Sequence, residues 1–249
     1  MKSYLIVGAL LLVIIALLAT NKKLVETVKN IFKIEDLRKR LIYTCLLILV
    51  YRLGCYVVIP GIDPNLLGEG SALANQMDSN GLLGLLNVFS GGAFANAAIF
   101  ALGVMPYITA SIIIQLLGMM VPAVQKMMKE GESGRRKMNQ WTRLLTIGVL
   151  ALQGPAYVAN LYHQMPEAFI YGNAFIFTLY ATIILIAGTM FVVWLGEKIT
   201  DKGIGNGVSL IIMIGIVARL PHAMLAELSA RLNTSTGSLI MIIVELVLL

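Results

Sequence analysis

The residues able to carry acid–base, nucleophilic or metal chemistry are sparse in this 249-residue chain, and their spacing points away from catalysis. His163 and His222 are far apart in sequence, and neither has a second ligand at metal-binding spacing. No Ser/His/Asp set and no paired carboxylates fall inside an apolar run. Glu197 and Asp201 stand four residues apart on a polar stretch, where Lys198 and Lys202 are their expected partners unless they cap a helix. Glu245 is the one carboxylate expected among apolar neighbours. No P-loop is present, so energy for any transport must come from a partner. The reading is a non-enzyme that needs no cofactor and no metal.

Charge placement is more informative. The chain is 58% apolar and 13% charged, with a mean hydropathy of +0.85, against about 25% charged residues in a soluble domain. Its net charge of +6 is segregated. Basic residues crowd segments 22–40 and 126–143, whereas 59–96 holds Asp63, Glu69 and Asp78 and no Lys or Arg. That alternation follows the positive-inside rule for a multi-spanning protein. It places 22–40, 121–140 and 196–206 in the cytoplasm, and 59–96, 163–171 and 221–236 outside or dipping inward.

The elements that position these loops are apolar helices. Spans are expected at about 41–58, 97–120, 141–162, 173–195, 208–220 and 238–249. The first carries Arg52, which can snorkel or pair near its outer end, and stops at Ile59-Pro60-Gly61. Cys45 and Cys55 lie ~15 Å apart along that helix and read as small buried residues. Pro106 is expected to kink the second span, Gly154-Pro155 to interrupt the third, and Pro221 to close the fifth. Residues 22–40 look amphipathic, and residues 1–21 form a separate apolar segment: an anchor, a signal-like sequence or a start read too far upstream. Segment 81–96, GLLGLLNVFSGGAFAN, is too short to span. It reads as a re-entrant half-helix broken at Ser90-Gly91-Gly92, tolerated only where protein or a water-filled cavity surrounds it. The loop 121–140 is flexible and glycine-bearing, and the GIGNG turn at 203–207 bends the chain into the fifth span, with Asn206 as its helix cap.

Four stretches carry a family resemblance: IPGID at 59–63, NVFSGGAFANAAIFALGVMPYITASIIIQLL at 87–117, KEGESGRRK at 129–137, and GTMFVVWLGEKITDKGIGNGVSLII at 188–212. In that order they resemble the SecY/Sec61-alpha family, the channel-forming subunits of protein translocons. The resemblance runs from about Lys22 to Leu249 and corresponds to roughly the first half of a ten-span member. Residues 1–21 have no expected counterpart. The fold it implies is all-α, a polytopic membrane helix bundle with a re-entrant plug.

The resemblance implies roles for particular residues. Leu85, Leu86, Asn87, Val88, Phe89, Ser90, Gly91, Gly92 and Ala93 match the plug that closes the channel from outside. Val104, Ile108 and Ile212 match positions of the apolar constriction ring, a gasket suited to substrates that share no polar pattern. Pro106, Thr109, Ser111 and Gln115 lie on the wall of a lateral gate, with hydroxyl and amide groups for bonds across a helix interface. Arg135, Arg136 and Lys137 are candidate cytoplasmic contacts for a motor or for ribosomal RNA. Implied companions are SecE, SecG, SecA and the ribosome, with SecDF and YidC as further candidates. The substrates are unfolded polypeptides, with lateral release of apolar segments into the lipid of the bacterial inner membrane. The competing reading is a secondary transporter, since broken helices suit that class too.

Overall fold

A helix stops where its backbone finds better partners elsewhere, and this rule sets the architecture of the chain. The computed structural model describes residues 33–67, 81–170 and 173–233. Its helices are α1 (Glu35–Gly54), α2 (Gly81–Phe89), α3 (Met105–Met120), α4 (Pro122–Lys129), α5 (Glu132–Gln164), α6 (Ala174–Lys202) and α7 (Gly207–Asn233), with short 3-10 turns at Pro64–Leu66 and Pro166–Ala168. Among the described residues no strand forms, and the fold is all-α. Isolated bridges pair Val58 with Ala98 and Ile62 with Phe169. The expectations for 1–21, most of 22–40, residues 68–80 and 238–249, and for the side chain of His222, lie outside what is described.

Residues 43–216 form one compact unit; of the other, residues 33–42 and 217–233 are described. In that smaller unit the first turns of α1 carry Lys39–Glu35 and Arg40–Asp36 ion pairs at four-residue spacing, both solvent-exposed. Such pairs add a few tenths of a kcal/mol at most.

Several helix boundaries differ from the sequence expectation, each for a physical reason. The first helix ends at Gly54 rather than near Val58, because the backbone of Val57 and Ile59 bonds that of Ile99 and Ala97 at 2.9 Å each. The helix expected from residue 97 begins at Met105; 97–104 is a chain of turns. Pro106 therefore sits in the first turn of α3, where its missing N–H costs nothing, and does not kink a span. Helix α5 runs unbroken through Gly154-Pro155 and starts nine residues before Trp141. Gly154 lets α6 approach, since a Cβ there would stand 2.8 Å from the Thr182 methyl group. Helix α7 likewise continues past Pro221. Prolines are tolerated inside such helices where neighbours and local adjustments satisfy the freed groups. The loop at 121–140 is largely helical, forming α4 and the start of α5 around a break at Gly131.

Among the described residues α5 and α6 are long and apolar enough to cross a membrane, with mean hydropathies of 1.4 and 2.3 in their best windows. Helices α3 and the start of α7 are apolar but shorter. Helix α1 misses that standard because Arg38, Lys39, Arg40 and Arg52 fall in every long window. Large apolar side chains point outward from the unit, among them Leu46, Leu53, Leu116, Leu152, Phe175 and Ile183. An outward apolar surface of this extent suits a lipid environment. Cys45 is exposed on this surface, contrary to expectation, whereas Cys55 is buried.

The core has two clusters, and the turn segment 93–104 feeds both. Phe94, Ala95, Ala97 and Ala101 pack with Ile59, Tyr157, Leu161 and Leu185. Ala93, Ala98, Phe100 and Val104 pack with Tyr51, Val192, Leu195 and Ile211. Small residues let the irregular chain thread between helices. Gly188 of α6 is one such close approach, because a Cβ there would collide with the Ile99 carbonyl. Substituting Gly188→Ala is expected to cost about 1–3 kcal/mol of stability, the usual scale for overpacking, read as a lowered melting temperature of the detergent-solubilised protein.

Candidate functional site

Helix α2 is nine residues long, about 13 Å, and too short to cross a bilayer. Its C-terminus is closed by the two-bond glycine motif: the Gly91 N–H donates to Val88 O at 3.0 Å and the Gly92 N–H to Asn87 O at 2.9 Å. This requires Gly91 to take a left-handed conformation, and its φ is +66°.

Past that point the backbone has no helix or sheet to pair with, and side chains supply the acceptors. The buried Asn87 Oδ1 accepts from the Ala95 N–H at 3.1 Å. Ser90 Oγ accepts from the Phe94 N–H at 3.1 Å and donates to Asn87 O. Asn96, Ala97 and Ala98 donate to Gly92, Phe94 and Ala93 carbonyls, and Ile99 to Val57. Every amide from Ser90 to Ile99 thus has an acceptor. The carbonyls are addressed by neighbouring helices: Tyr157 donates from its hydroxyl to Phe94 O at 2.9 Å, Tyr51 approaches Ser90 O at 3.4 Å, and Arg52 Nη1 donates to Gly91 O at 2.7 Å. Ala97 carries the remaining strain, with a φ of +45°.

The candidate plug residues therefore divide by face. Asn87, Ser90, Gly91 and Ala93 are buried and build the break. Leu85 and Val88 are exposed, and Leu86, Phe89 and Gly92 are intermediate.

Beyond the break, Ile108 of α3 and Ile212 of α7 line one open cavity of about 540 Å³, together with Ser111, Gln115, Glu197 and Asn206. Val104, the third candidate ring residue, is 2% exposed and packed in the core beside Phe100 and Ile211. Pro106 is buried. The polar gate candidates bond within α3: Thr109 Oγ1 donates to Met105 O at 3.1 Å, and Gln115 Nε2 donates to Ser111 Oγ at 3.3 Å. The expected bonds to a facing helix have no counterpart among the described residues. Asn206 caps α7 as expected, accepting at its Oδ1 from the Val208 and Ser209 N–H groups at 3.1 and 3.3 Å.

Two features escaped the sequence. Glu197 pairs with neither nearby lysine: Arg143 of α5 holds it through two bonds, Nε to Oε1 at 3.0 Å and Nη2 to Oε2. This fork ties α5 to α6 beside the cavity. Of the two roles expected of Arg52, snorkelling or pairing, it takes the second, and the partner the sequence did not show is the Gly91 carbonyl. Separation along the chain hid both pairs. The basic triplet also differs from expectation. Arg135, Arg136 and Lys137 lie in the first turns of α5, not in a flexible loop, and the exposed Arg136 pairs with Glu132 at 2.9 Å.

A half-helix, a side-chain-satisfied break and a helix leading from it to a cavity of mixed polar and apolar lining define a membrane helix bundle built around a discontinuous segment. The family model that matches is SecY, over residues 98–249. Protein translocase subunit SecY of Streptomyces scabiei is 45% identical over 78% of this chain and 45% of its own length. The subunit of Thermotoga maritima is 43% identical over 79% of this chain and 46% of its own. That of Halalkalibacterium halodurans is 40% identical over 90% and 50%. The chain belongs to the SecY family, and it spans about half the length of the curated relatives it matches.

Replacing Asn87 with Ala leaves the Ala95 N–H buried without an acceptor and is expected to cost about 1–3 kcal/mol. Chemical or thermal unfolding of the variant against the parent measures this, and an unchanged midpoint would mean that another group takes the amide.

Proposed function

We propose that this chain supplies part of the wall, the constriction and the closure of a protein-conducting channel, through which unfolded secretory polypeptides cross the membrane and apolar segments leave sideways into lipid. The observation that carries the reading is the discontinuity itself. A short apolar helix ends in a glycine hinge, and the chain that follows has its amides satisfied in place and leads to a helix whose Ile108 lines an open cavity together with Ile212. Names of relatives at 40–45% identity support it.

In this reading α2 is the plug, filling the pore with non-directional contacts that can be given up and regained. Ile108 and Ile212, with Val104 one helical turn before Ile108 in the chain, form the apolar constriction. An apolar ring resists water and ions when empty and makes no sequence-specific bond to a passing chain. Helix α3 is one wall of the lateral gate; its outward face, with Ile112, Leu116 and Met119, is apolar and exposed. Ser111 and Gln115, already bonded to each other, keep further hydrogen-bonding capacity for a facing helix. Arg135, Arg136 and Lys137 offer positive charge at the start of α5 for an anionic cytoplasmic partner, whether SecA, a ribosomal protein or ribosomal RNA. SecE, SecG, SecDF and YidC are the proposed membrane companions, and the bacterial inner membrane is the proposed location.

Deleting residues 85–95 from the full chain and recording in planar bilayers tests the reading. The expected result is a persistent, weakly selective ion leak absent from the parent. Ile108→Asn is expected to raise the leak more mildly, by wetting the constriction. A tightly coupled solute flux without leak would favour a transporter and overturn the channel.

A further inference from the structure

We propose that Arg52 is a positioning residue that latches α2 in its seated place through the carbonyl of Gly91. The inference rests on the reading of α2 as the closure of the pore.

The geometry is specific to the hinge. Gly91 is the left-handed residue that ends α2, and the glycine motif uses the N–H groups of Gly91 and Gly92. The Gly91 carbonyl is taken by Arg52 Nη1 at 2.7 Å, a charge-assisted bond. The second arm of the guanidinium reaches Tyr56: Nη2 lies 3.4 Å from its hydroxyl, and the guanidinium carbon 5.4 Å from the ring centroid. Gly91 also meets Gly215 of α7. A Cβ at Gly91 would stand 2.9 Å from Arg52 Nη1 and 3.1 Å from the Gly215 Cα. The hinge thus packs closely against both a cation from α1 and bare backbone from α7.

Three consequences make this a latch and not packing alone. A cation at the C-terminal end of α2 opposes the negative end of the helix dipole. Withdrawal of α2 removes the Gly91 carbonyl from a half-buried guanidinium whose remaining described partner is Tyr56. A charged group with fewer partners in an apolar setting is costly, so unseating is opposed by more than loss of van der Waals contact. The seated position is also directional, since a carbonyl must return to within hydrogen-bond distance of a fixed fork. Leu85 and Val88, exposed on α2, provide no such registration.

The test uses the full chain in planar bilayers, as wild type, Arg52→Met, Arg52→Lys, the 85–95 deletion, and Arg52→Met within that deletion. Arg52→Met is expected to raise open probability on the order of tenfold, the scale set by one hydrogen bond to a charged group, with unitary conductance unchanged. Arg52→Lys keeps a point charge for Gly91 but loses the fork onto Tyr56, and falls between. In the deletion background Arg52→Met adds nothing, because the latch has nothing left to hold. Wild-type open probability in Arg52→Met, or an equal rise with and without residues 85–95, overturns the latch while a leaky deletion leaves the channel reading standing. A deletion that opens no leak overturns the channel reading and the latch with it. If Arg52→Met does not fold, Arg52→Lys decides: gating identical to wild type overturns the latch.

Discussion

Backbone that leaves the helix inside an apolar bundle has no water to fall back on, and each N–H and C=O must find a partner where it lies. Between Ser90 and Ile99 this chain meets that demand amide by amide. The acceptors are the Asn87 and Ser90 side chains, carbonyls within a few residues and, for Ile99, the Val57 carbonyl from the chain after α1. Tyrosines and an arginine on α1 and α5 address the carbonyls from outside. The rest of the unit depends on this accounting. Without it the segment would either continue α2 as a spanning helix or expose polar groups at a cost of several kcal/mol apiece.

Once the break is affordable, the packing follows from its small residues. Ala93, Ala95, Ala97, Ala98 and Ala101 give the irregular chain a narrow cross-section, so it passes between helices and contributes to both core clusters. Phe94 and Phe100 anchor it to either side. Phe94 meets Tyr157 edge-on at 4.8 Å, and Phe100 stacks on Tyr51 at 6.1 Å and on Phe191 at 5.9 Å. Gly54 and Gly188 give way to the Phe100 ring and to the Ile99 carbonyl. The same short segment thus sets helix spacing and delivers α3 to the cavity wall, linking the hinge of α2 to the placement of Ile108.

The half-helix and its break were legible because their cause is local. A run too short to span, followed by two glycines, announces itself in composition. The all-α class was legible from apolar run length, and the Asn206 cap from residue type beside a glycine turn. Proline positions misled, for a physical reason. Proline ends helices in water, but Pro106 fills a first turn where no N–H is needed, and Pro155 and Pro221 lie within helices that run on around them. The Arg143–Glu197 fork and the Arg52–Gly91 bond were hidden because they depend on which helix faces which. Nearby lysines offered Glu197 a plausible sequence partner that geometry did not use. The division of α2 into a buried polar face and an exposed apolar one was equally invisible, since an asparagine in an apolar run reads as an exception until its acceptor is needed.

The functional reading inherits its strength from this core. A closure that moves must be attached by a joint that does not, and the stretch from Ala93 to Ile99, whose amides all have acceptors, provides such a joint, with a glycine hinge on one side and α3 on the other. Hydrogen–deuterium exchange of the reconstituted protein, resolved to peptides spanning residues 93–99, tests this most directly. The account predicts protection of these amides comparable to that of α6, despite the absence of helix. Exchange as fast as that of an exposed turn would contradict it, because a segment that opens freely to solvent is neither a joint nor a core.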